Sequence, residues 1–255
     1  MKYYSFIFLF IFQFFILKAQ EIPIGHWRDE LPYNELIAIE ESENFIFAAT
    51  PYSLLSYHKK DAALTRISKV NGLNDFGIST IGYNADYRVL LIAYENTNID
   101  LIKDKSIINI NDIKRKNILG KKSINGILFL GKYAYLSCGF GIVVVDLERE
   151  EIKDTYKIGE NGNIVGINDC YIDDTCIFVG TTDGAYFADK NSNTLFNFNS
   201  WTKHPSYTTE VSEIIVNSWG ILFNNQYPYV KVRNSNGYYL EIGGIISIYQ
   251  NGNLI

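Results

Sequence analysis

The stretch CIFVGTTDGAYFAD, from Cys176 to Asp189, contains two apolar runs joined by a short polar turn. Both runs are short and rich in β-branched and aromatic residues, which is typical of strands. Asp183–Gly184 indicates a tight hairpin, because glycine adopts positive φ without steric cost. Gly141 has the same place in the preceding CGFG turn, and Ser53 and Thr97 have it further upstream. We therefore expect Gly141 and Gly184 to be structural turn residues, and the other two turns to differ in type.

This hairpin belongs to a unit that recurs every ~43 residues, a period that marks repeat architectures. Each unit starts with a short apolar tetrad, which the second and third apolar runs follow in the same order. A polar turn then leads to a weaker fourth run in four of the units, namely ALTRISK, SIININD, IKDTYKIG and TLFNFNS. The tetrads begin at Leu36, Ile78, Ile124, Ile167 and Val211.

Four short strands in a repeat of this length are typical of β-propeller blades, which bury their faces by stacking around an axis. The sequence therefore predicts an all-β fold, with a β-propeller of about five four-stranded blades over residues 36–255. The predicted blades start near 36, 78, 124, 167 and 211. Because the last repeat is the least regular, we expect an incomplete ring from a longer protein, unless a partner chain supplies further blades.

The N-terminal residues MKYYSFIFLFIFQFFILKAQ have a charged start, an apolar middle and a small residue at Ala19. This pattern predicts a secretory signal peptide over residues 1–19, followed by an entry segment over residues 20–35. An uncleaved anchor is the alternative, although the apolar run is shorter than the ~20 residues of a spanning helix. No later segment is apolar enough to span a bilayer, so we expect no transmembrane segment after cleavage.

The entry segment contains GHWRDELPYN, from Gly25 to Asn34, which has the residue types of an active site. We interpret it as a structural segment. Trp27 is expected to be an apolar plug that docks the segment onto a blade. Arg28 is expected to pair with Asp29 or Glu30 at the surface, where such pairs contribute only ~0–1 kcal/mol.

The formal net charge of −5 argues against binding to nucleic acid or an anionic membrane through bulk charge. One local exception is the segment IKRKNILGKK. It contains Lys114, Arg115, Lys116, Lys121 and Lys122. The segment is either a solvated loop between the second and third blades or a patch for an anionic glycan, a phosphate or an acidic partner surface.

The residues predict no catalytic site, metal site or cofactor. His26, His58 and His204 lack the spacing of metal ligands, and neither a nucleophile elbow nor a glycine-rich phosphate loop is present in the sequence. Asp100, Asp146 and Asp189 recur near the ends of third strands. Recurrence across repeats favours a structural role in turns over catalysis, so we predict a protein that is not an enzyme.

The chain has three cysteines, so they cannot all pair within it. Cys170 and Cys176 flank a predicted turn at Asp173–Asp174, and a hairpin disulfide is conceivable in an oxidising compartment. Buried thiols and a metal site are the alternatives that the residues leave open.

Five stretches resemble the first propeller of the PorZ family, whose members are components of the type IX secretion system. They are IPIGHWRDELPYN, SKVNGLNDFGISTIGYN, LLIAYENTNIDLI, INDIKRKNILGKKSING and YAYLSCGFGIVVVDLEREEIKDTYKIG, and the resemblance runs from about Ile22 to about Lys203. It implies a non-enzymatic protein that is exported through the periplasm to the cell surface and associates with the outer membrane. It also implies attachment-complex partners, including a PorU-like sortase, and anionic lipopolysaccharide as a candidate ligand. Family members contain a second propeller and a C-terminal β-sandwich, for which this sequence has no counterpart.

The segment GTTDGAYFAD is also similar to the regulator-propeller repeats of hybrid two-component sensors. That resemblance implies the alternative function, a periplasmic propeller that binds glycan fragments and regulates a kinase.

Overall fold

The computed structural model describes residues 30–104 and 106–217, and the strands that lie between residues 220 and 254. Side chains are described up to residue 216, with Lys105 excepted, and at Ile221. The predicted signal peptide, His26, Trp27, Arg28 and Asp29 lie outside the described residues.

The described chain is almost entirely antiparallel β-structure, and each of the first four repeats forms one four-stranded sheet. The first sheet contains β1 (Ala38–Glu41), β2 (Phe45–Ala49), β3 (Ser53–His58) and β4 (Leu64–Ser68). The second contains β5 (Ile78–Asn84), β6 (Val89–Tyr94), β7 (Ile99–Lys103) and β8 (Ser106–Ile110). The third contains β9 (Ile124–Leu130), β10 (Tyr133–Cys138), β11 (Gly141–Asp146) and β12 (Glu151–Tyr156). The fourth contains β13 (Ile167–Ile172), β14 (Cys176–Thr181), β15 (Gly184–Asp189) and β16 (Thr202–Lys203).

The remaining described strands belong to the last repeat. A fifth sheet contains β17 (Glu213–Asn217), β18 (Gly220–Asn224), β21 (Tyr249–Gln250) and β22 (Asn253–Leu254), and a separate hairpin contains β19 (Val230–Asn234) and β20 (Gly237–Glu241). Among the described residues, helical structure is limited to the single-turn helix α1 (Asp112–Arg115) and two 3₁₀ turns (Glu160–Gly162 and Phe198–Ser200).

The sheets form the blades of an incomplete propeller, which confirms the predicted fold class. The first strands of consecutive sheets contact one another, as expected for strands near a common axis. The second, third and fourth sheets each bury both faces against their neighbours. In β6, for example, Leu90 and Ile92 pack towards the first blade, whereas Leu91 and Ala93 pack towards the third. This explains why the second and third runs are continuously apolar.

The strand order within each blade defines two ends of the propeller. The connections between successive blades and the turns between second and third strands lie at one end, which we call the upper face. The turns between first and second strands, and between third and fourth strands, lie at the other end, which we call the lower face. Residues 111–123, which connect β8 to β9, therefore belong to the upper face.

The prediction that the TLFNFNS run forms the fourth strand of the fourth blade is wrong. The run TLFNFNS contains the 3₁₀ turn Phe198–Ser200, and the strand that pairs with β15 is Thr202–Lys203. Leu195 and Trp201 bury their side chains in the core between the third and fourth blades, and Trp201 Nε1 donates a hydrogen bond to the Leu195 carbonyl over 2.9 Å. Asn197 accepts a hydrogen bond from the Asn199 N–H and caps the turn. Core packing and local capping therefore override the strand propensity of this run.

The glycine turns have the predicted conformation. Gly141 and Gly184 have φ of 137° and 131°. A Cβ atom would lie 2.3 Å from the carbonyl oxygen of Tyr156 at Gly141, and at the same distance from that of Tyr207 at Gly184. Thr97 has φ of 65° in the corresponding turn of the second blade, so that turn does differ in type.

The three cysteines are free thiols, so the disulfide that the sequence left open between Cys170 and Cys176 is not formed. Cys170 lies opposite Val179 in the sheet, three residues along β14 from Cys176. Three strand residues span ~10 Å, which exceeds the reach of a disulfide. The two side chains also point to opposite faces of the blade, because Cys170 packs towards the third blade and Cys176 towards the fifth.

Candidate functional site

The predicted basic cluster lies in the connection between the second and third blades, residues 111–123, which we call the basic connection. It starts with α1, whose buried Ile113 fixes the helix to the core between these blades. Lys114 and Arg115 occupy the last turn of α1, where cations interact favourably with the helix dipole. Lys122 Nζ donates a hydrogen bond to the Lys114 carbonyl over 3.0 Å and links the two ends of the connection.

Lys114 forms an ion pair with a buried acid, although its own side chain is 41% exposed. Its Nζ lies 2.5 Å from Oδ2 of Asp75, which is 2% exposed and lies in the connection between the first and second blades. Burial alone would raise the pKa of Asp75. Hydrogen bonds from Lys114, from Asn96 and from the Phe76 backbone N–H outweigh that effect and lower the pKa to about 2. Lys114 therefore neutralises a buried acid, so its charge is compensated in part within the fold.

Sequence reasoning missed this polar cluster on the upper face. Asn96 and Asn98, from the turn between β6 and β7, donate to Asp75 over 2.8 and 3.3 Å. The only sequence signal was the asparagine-rich turn ENTN, and it did not reveal that Asp75 and Lys114, 39 residues apart, would meet.

A second buried carboxylate, Asp100, lies beside this cluster. It accepts hydrogen bonds from the Tyr94 hydroxyl (2.6 Å), from the Asn109 amide (2.8 Å) and from both the backbone and the side chain of Asn74 (2.9 and 3.0 Å). Its partners are all donors, so it acts as a structural acceptor that ties the second blade to the connection before it.

Three cations of the basic connection remain exposed. Arg115, Lys116 and Lys121 form no ion pair or side-chain hydrogen bond with any described residue. They differ in this from Lys114 and Lys122, which have partners within the fold. Of the five predicted cations, these three are therefore exposed and unpaired by the described residues, whereas Lys114 is exposed but paired.

An apolar cavity of about 470 Å³ adjoins the basic connection. Ile113, Phe140 and Ile158 contribute to its walls, and its charged lining residues, Lys116 and Lys157, are both cationic. Leu119, also in the lining, is 80% exposed. The exposed cations therefore lie beside an apolar surface.

The histidines that the structure describes belong to different blades and have structural surroundings. His58 Nδ1 lies 2.6 Å from Oδ1 of Asp61 at the lower end of the first blade. His204 is buried, and burial lowers its pKa. Among residues 30–104 and 106–217 no group of His, Cys, Asp and Glu side chains could hold a metal ion.

The recurring aspartates have structural roles, as predicted. Asp146 accepts hydrogen bonds from the N–H groups of Glu148 and Arg149, and Asp189 accepts one from the N–H of Asn191, so both cap turns. Asp100 differs in position, because it lies near the start of its strand and belongs to the buried polar cluster described above.

Comparison with protein families gives one match. Residues 46–202 match the N-terminal β-propeller domain of PorZ, a protein of the type IX secretion system. No curated protein matches the chain.

Comparison with solved structures supports the propeller fold. The chain superposes on PorZ of Porphyromonas gingivalis with a TM-score of 0.70 and 23% identity, covering 85% of this chain and 29% of that one. It superposes on the extracellular domain of a putative one-component system of B. thetaiotaomicron with a TM-score of 0.57 and 11% identity, covering 90% and 36%. It superposes on the Cps50 (Swd1) β-propeller domain of Myceliophthora thermophila with a TM-score of 0.55 and 9% identity, covering 88% of this chain and 69% of that one. The chain thus spans about a third of the length of the first two structures.

In the part of the chain that the structure describes, no helix is long and apolar enough to cross a membrane.

Proposed function

The chain belongs to the family of PorZ N-terminal β-propeller domains of the type IX secretion system, and from this premise we propose that it is a non-catalytic binding scaffold. It is exported and acts at the cell surface with other components of the attachment complex, including a PorU-like sortase. Its ligand is an anionic glycan, with anionic lipopolysaccharide as the first candidate. The family membership supports the setting, and the exposed cations of the basic connection support the ligand class.

One observation carries the ligand proposal. Arg115, Lys116 and Lys121 stay exposed and unpaired by described residues, on a chain whose net charge is −5. Clustered cations create a local positive field whatever the net charge, and that field attracts anionic groups. Lys114 and Lys122 contribute to the shape of the connection through their internal contacts.

The test compares two charge-reversal variants in binding to purified anionic lipopolysaccharide. The first variant changes Arg115, Lys116 and Lys121 to Glu. Lys114 is left unchanged, because reversing it would place two acids together at Asp75. If each exposed contact contributes roughly 0.5 kcal/mol, affinity should fall about tenfold.

The matched control reverses three exposed cations that lie towards the lower face, Lys60, Arg149 and Lys153. It changes the net charge by the same amount and should bind as the unmodified chain does. Added salt should weaken binding of the unmodified chain and abolish the difference between the variants, since exposed charges are screened within ~10 Å at 0.1 M salt. Equal affinities of the two variants at low salt would refute the ligand proposal.

Scaffold action predicts that the chain associates with the sortase and alters its activity without any activity of its own. The measurement is co-purification of the exported chain with a PorU-like sortase, followed by sortase assays with and without the chain. Hydrolysis of glycans or peptides by the purified chain alone would contradict the absence of catalysis. Protease treatment of intact cells would test placement at the cell surface.

The alternative function is the glycan-binding propeller of a two-component regulator, and the similarity to the extracellular domain of a putative one-component system favours it. The gene beyond the codon for Ile255 distinguishes the two. A further propeller and a β-sandwich would support the secretion component, whereas a membrane span followed by kinase motifs would support the sensor.

A further inference from the structure

A second cavity of about 470 Å³ lies on the lower face, between the first and second blades, and we propose that it binds a neutral saccharide. Its size is that of a small-molecule site. The turn between β1 and β2 forms one side, and the turns that follow β5 and β7 form the other. This blade-junction cleft lies at the opposite end of the strands from the basic connection, so the inference does not depend on the proposed function.

Aromatic rings line one wall of the blade-junction cleft. The rings of Phe45 and Phe47 stack with centroids 5.8 Å apart and an interplanar angle of 22°, and Tyr83 continues the row 6.0 Å from Phe47. Phe45 is 37% exposed although it lies in a strand. An exposed aromatic face suits a ligand with a flat apolar side, such as the C–H face of a sugar ring.

Polar side chains from both blades complete the cleft. Glu43, Asn44, Arg88 and Asp104 all line it, and none of them makes a side-chain hydrogen bond or an ion pair with a described residue. Hydroxyl groups both donate and accept hydrogen bonds, so a polyol can satisfy this mixture of donors and acceptors. Because acids and a cation are both present, the cleft favours a neutral ligand over an anion.

The next junction shows how such a space is closed elsewhere in this chain. Between the second and third blades, Asn84 Nδ2 donates to the Gly131 carbonyl over 2.9 Å and joins the two lower-face turns. Tyr87, from the same turn, packs against the core between these blades. Ser42 has the place of Asn84 in the first blade, since each side chain accepts a hydrogen bond from the backbone N–H three residues later. The Ser42 hydroxyl donates within its own turn, to the Phe45 carbonyl over 3.2 Å, and does not join the second blade. The turns at the first junction are therefore left apart, and the cleft remains.

The experiment measures binding of four neutral trisaccharides, namely maltotriose, mannotriose, cellotriose and chitotriose, by calorimetry and by saturation-transfer NMR. We expect at least one to bind with a dissociation constant of about 1 mM or lower. Asp104→Asn keeps the shape of the side chain, and asparagine tolerates the φ of 54° at this position. Combined with Arg88→Gln it should weaken binding about tenfold, the loss of roughly 1.4 kcal/mol of hydrogen bonding.

The matched control is Asp86→Asn, an exposed aspartate in the turn that also holds Arg88 and outside the cleft lining. It should bind as the unmodified chain does. Phe45→Ala should abolish binding, and the melting temperature of this variant shows whether the blade stays folded. If the blade unfolds in Phe45→Ala, the Arg88 and Asp104 variants still test whether the cleft binds the sugar.

Three results would overturn the inference. They are the absence of binding by all four trisaccharides, binding that the Arg88 and Asp104 changes leave intact, and a clear preference for sulfated or carboxylated sugars. The variant with Arg115, Lys116 and Lys121 reversed should bind the neutral sugar normally, so failure of the basic-connection proposal would be distinguishable from failure of this one.

Discussion

Asn125 and Asn168 occupy the same place in consecutive blades, and each donates its side-chain amide to the backbone at the start of the next blade. Asn125 contacts the Ile167 carbonyl over 2.6 Å, and Asn168 contacts the Val211 carbonyl over 2.9 Å. Ser79, the corresponding residue of the second blade, donates to the Ala93 carbonyl within its own blade. The asparagine side chain therefore has the reach that bridges two innermost strands.

This relationship predicts that Asn125→Ala and Asn168→Ala each lower the free energy of unfolding by about 1 kcal/mol, the net contribution of one buried hydrogen bond. Asn168 also donates to the exposed Glu210 carboxylate over 3.2 Å, a bond that adds little. In the double variant the free energy of unfolding should fall by the sum of the two single losses, because the two bonds join different pairs of blades. Urea unfolding measures both effects. Asn117→Ala is the control, since that exposed side chain makes no hydrogen bond with a described residue. If Asn117→Ala lowered the free energy of unfolding as much as the other two changes, the bridging role would be contradicted.

Asp75 makes stability depend on pH. Its pKa in the fold is about 2, below the ordinary value of 3.8, so the folded state binds the proton more weakly than the unfolded state does. The stabilising contribution is therefore present above about pH 4 and is lost as the pH falls to about 2. We expect Asp75→Asn to lower the unfolding free energy at neutral pH by about 1.5–3 kcal/mol, as for hydrogen bonds to a charged group.

The measurement for Asp75 is the melting temperature of both proteins between pH 7 and pH 2. The variant should show a shallower acid slope than the unmodified chain in the window from about pH 4 to about pH 2. Asp86→Asn, at an exposed turn position, should leave the slope unchanged. An identical acid slope in Asp75→Asn would show that other carboxylates control the transition.

The innermost and central strands could be predicted from sequence because their apolar runs match the buried positions. The runs at Val89, Tyr133 and Cys176 begin at the first residue of the strands that the structure shows. The failures depend on long-range contacts. Trp201 and Leu195 draw the TLFNFNS run away from the sheet, and Asp75 pairs with Lys114 inside the predicted patch. Neither partner is visible in local patterns, because each contact forms only after the blades stack.

Gly184 should not tolerate a side chain. Its φ of 131° is rare for other residues, and a Cβ would lie 2.3 Å from the Tyr207 carbonyl oxygen. We expect Gly184→Ala to cost at least about 3 kcal/mol, since backbone strain and a steric clash add together. Gly126→Ala is the matched control, because its Cβ would meet only Ser137 at 3.8 Å. Thermal unfolding of the two variants tests this, and equal stability would contradict the predicted clash.

The two buried thiols, Cys138 and Cys170, should be inert in the folded protein. Burial raises the pKa of Cys138 to about 12 and also raises that of Cys170, so neither forms the reactive thiolate near neutral pH. We expect iodoacetamide to leave both unmodified until the protein is denatured, as read by mass spectrometry. Because no disulfide joins them, a reducing agent should leave the melting temperature unchanged. A mass two units lower before reduction would reveal a disulfide and contradict the free-thiol assignment.

The first four blades are simple meanders, in which each strand pairs with the strands next to it in the chain. Such pairings close short loops, and low contact order favours rapid folding. A blade can therefore form as soon as its four strands have been synthesised, and stacking onto the preceding blade follows. Assembly then proceeds from the N-terminal blade towards the C-terminal one, and each blade depends for its full protection on the blade that comes after it.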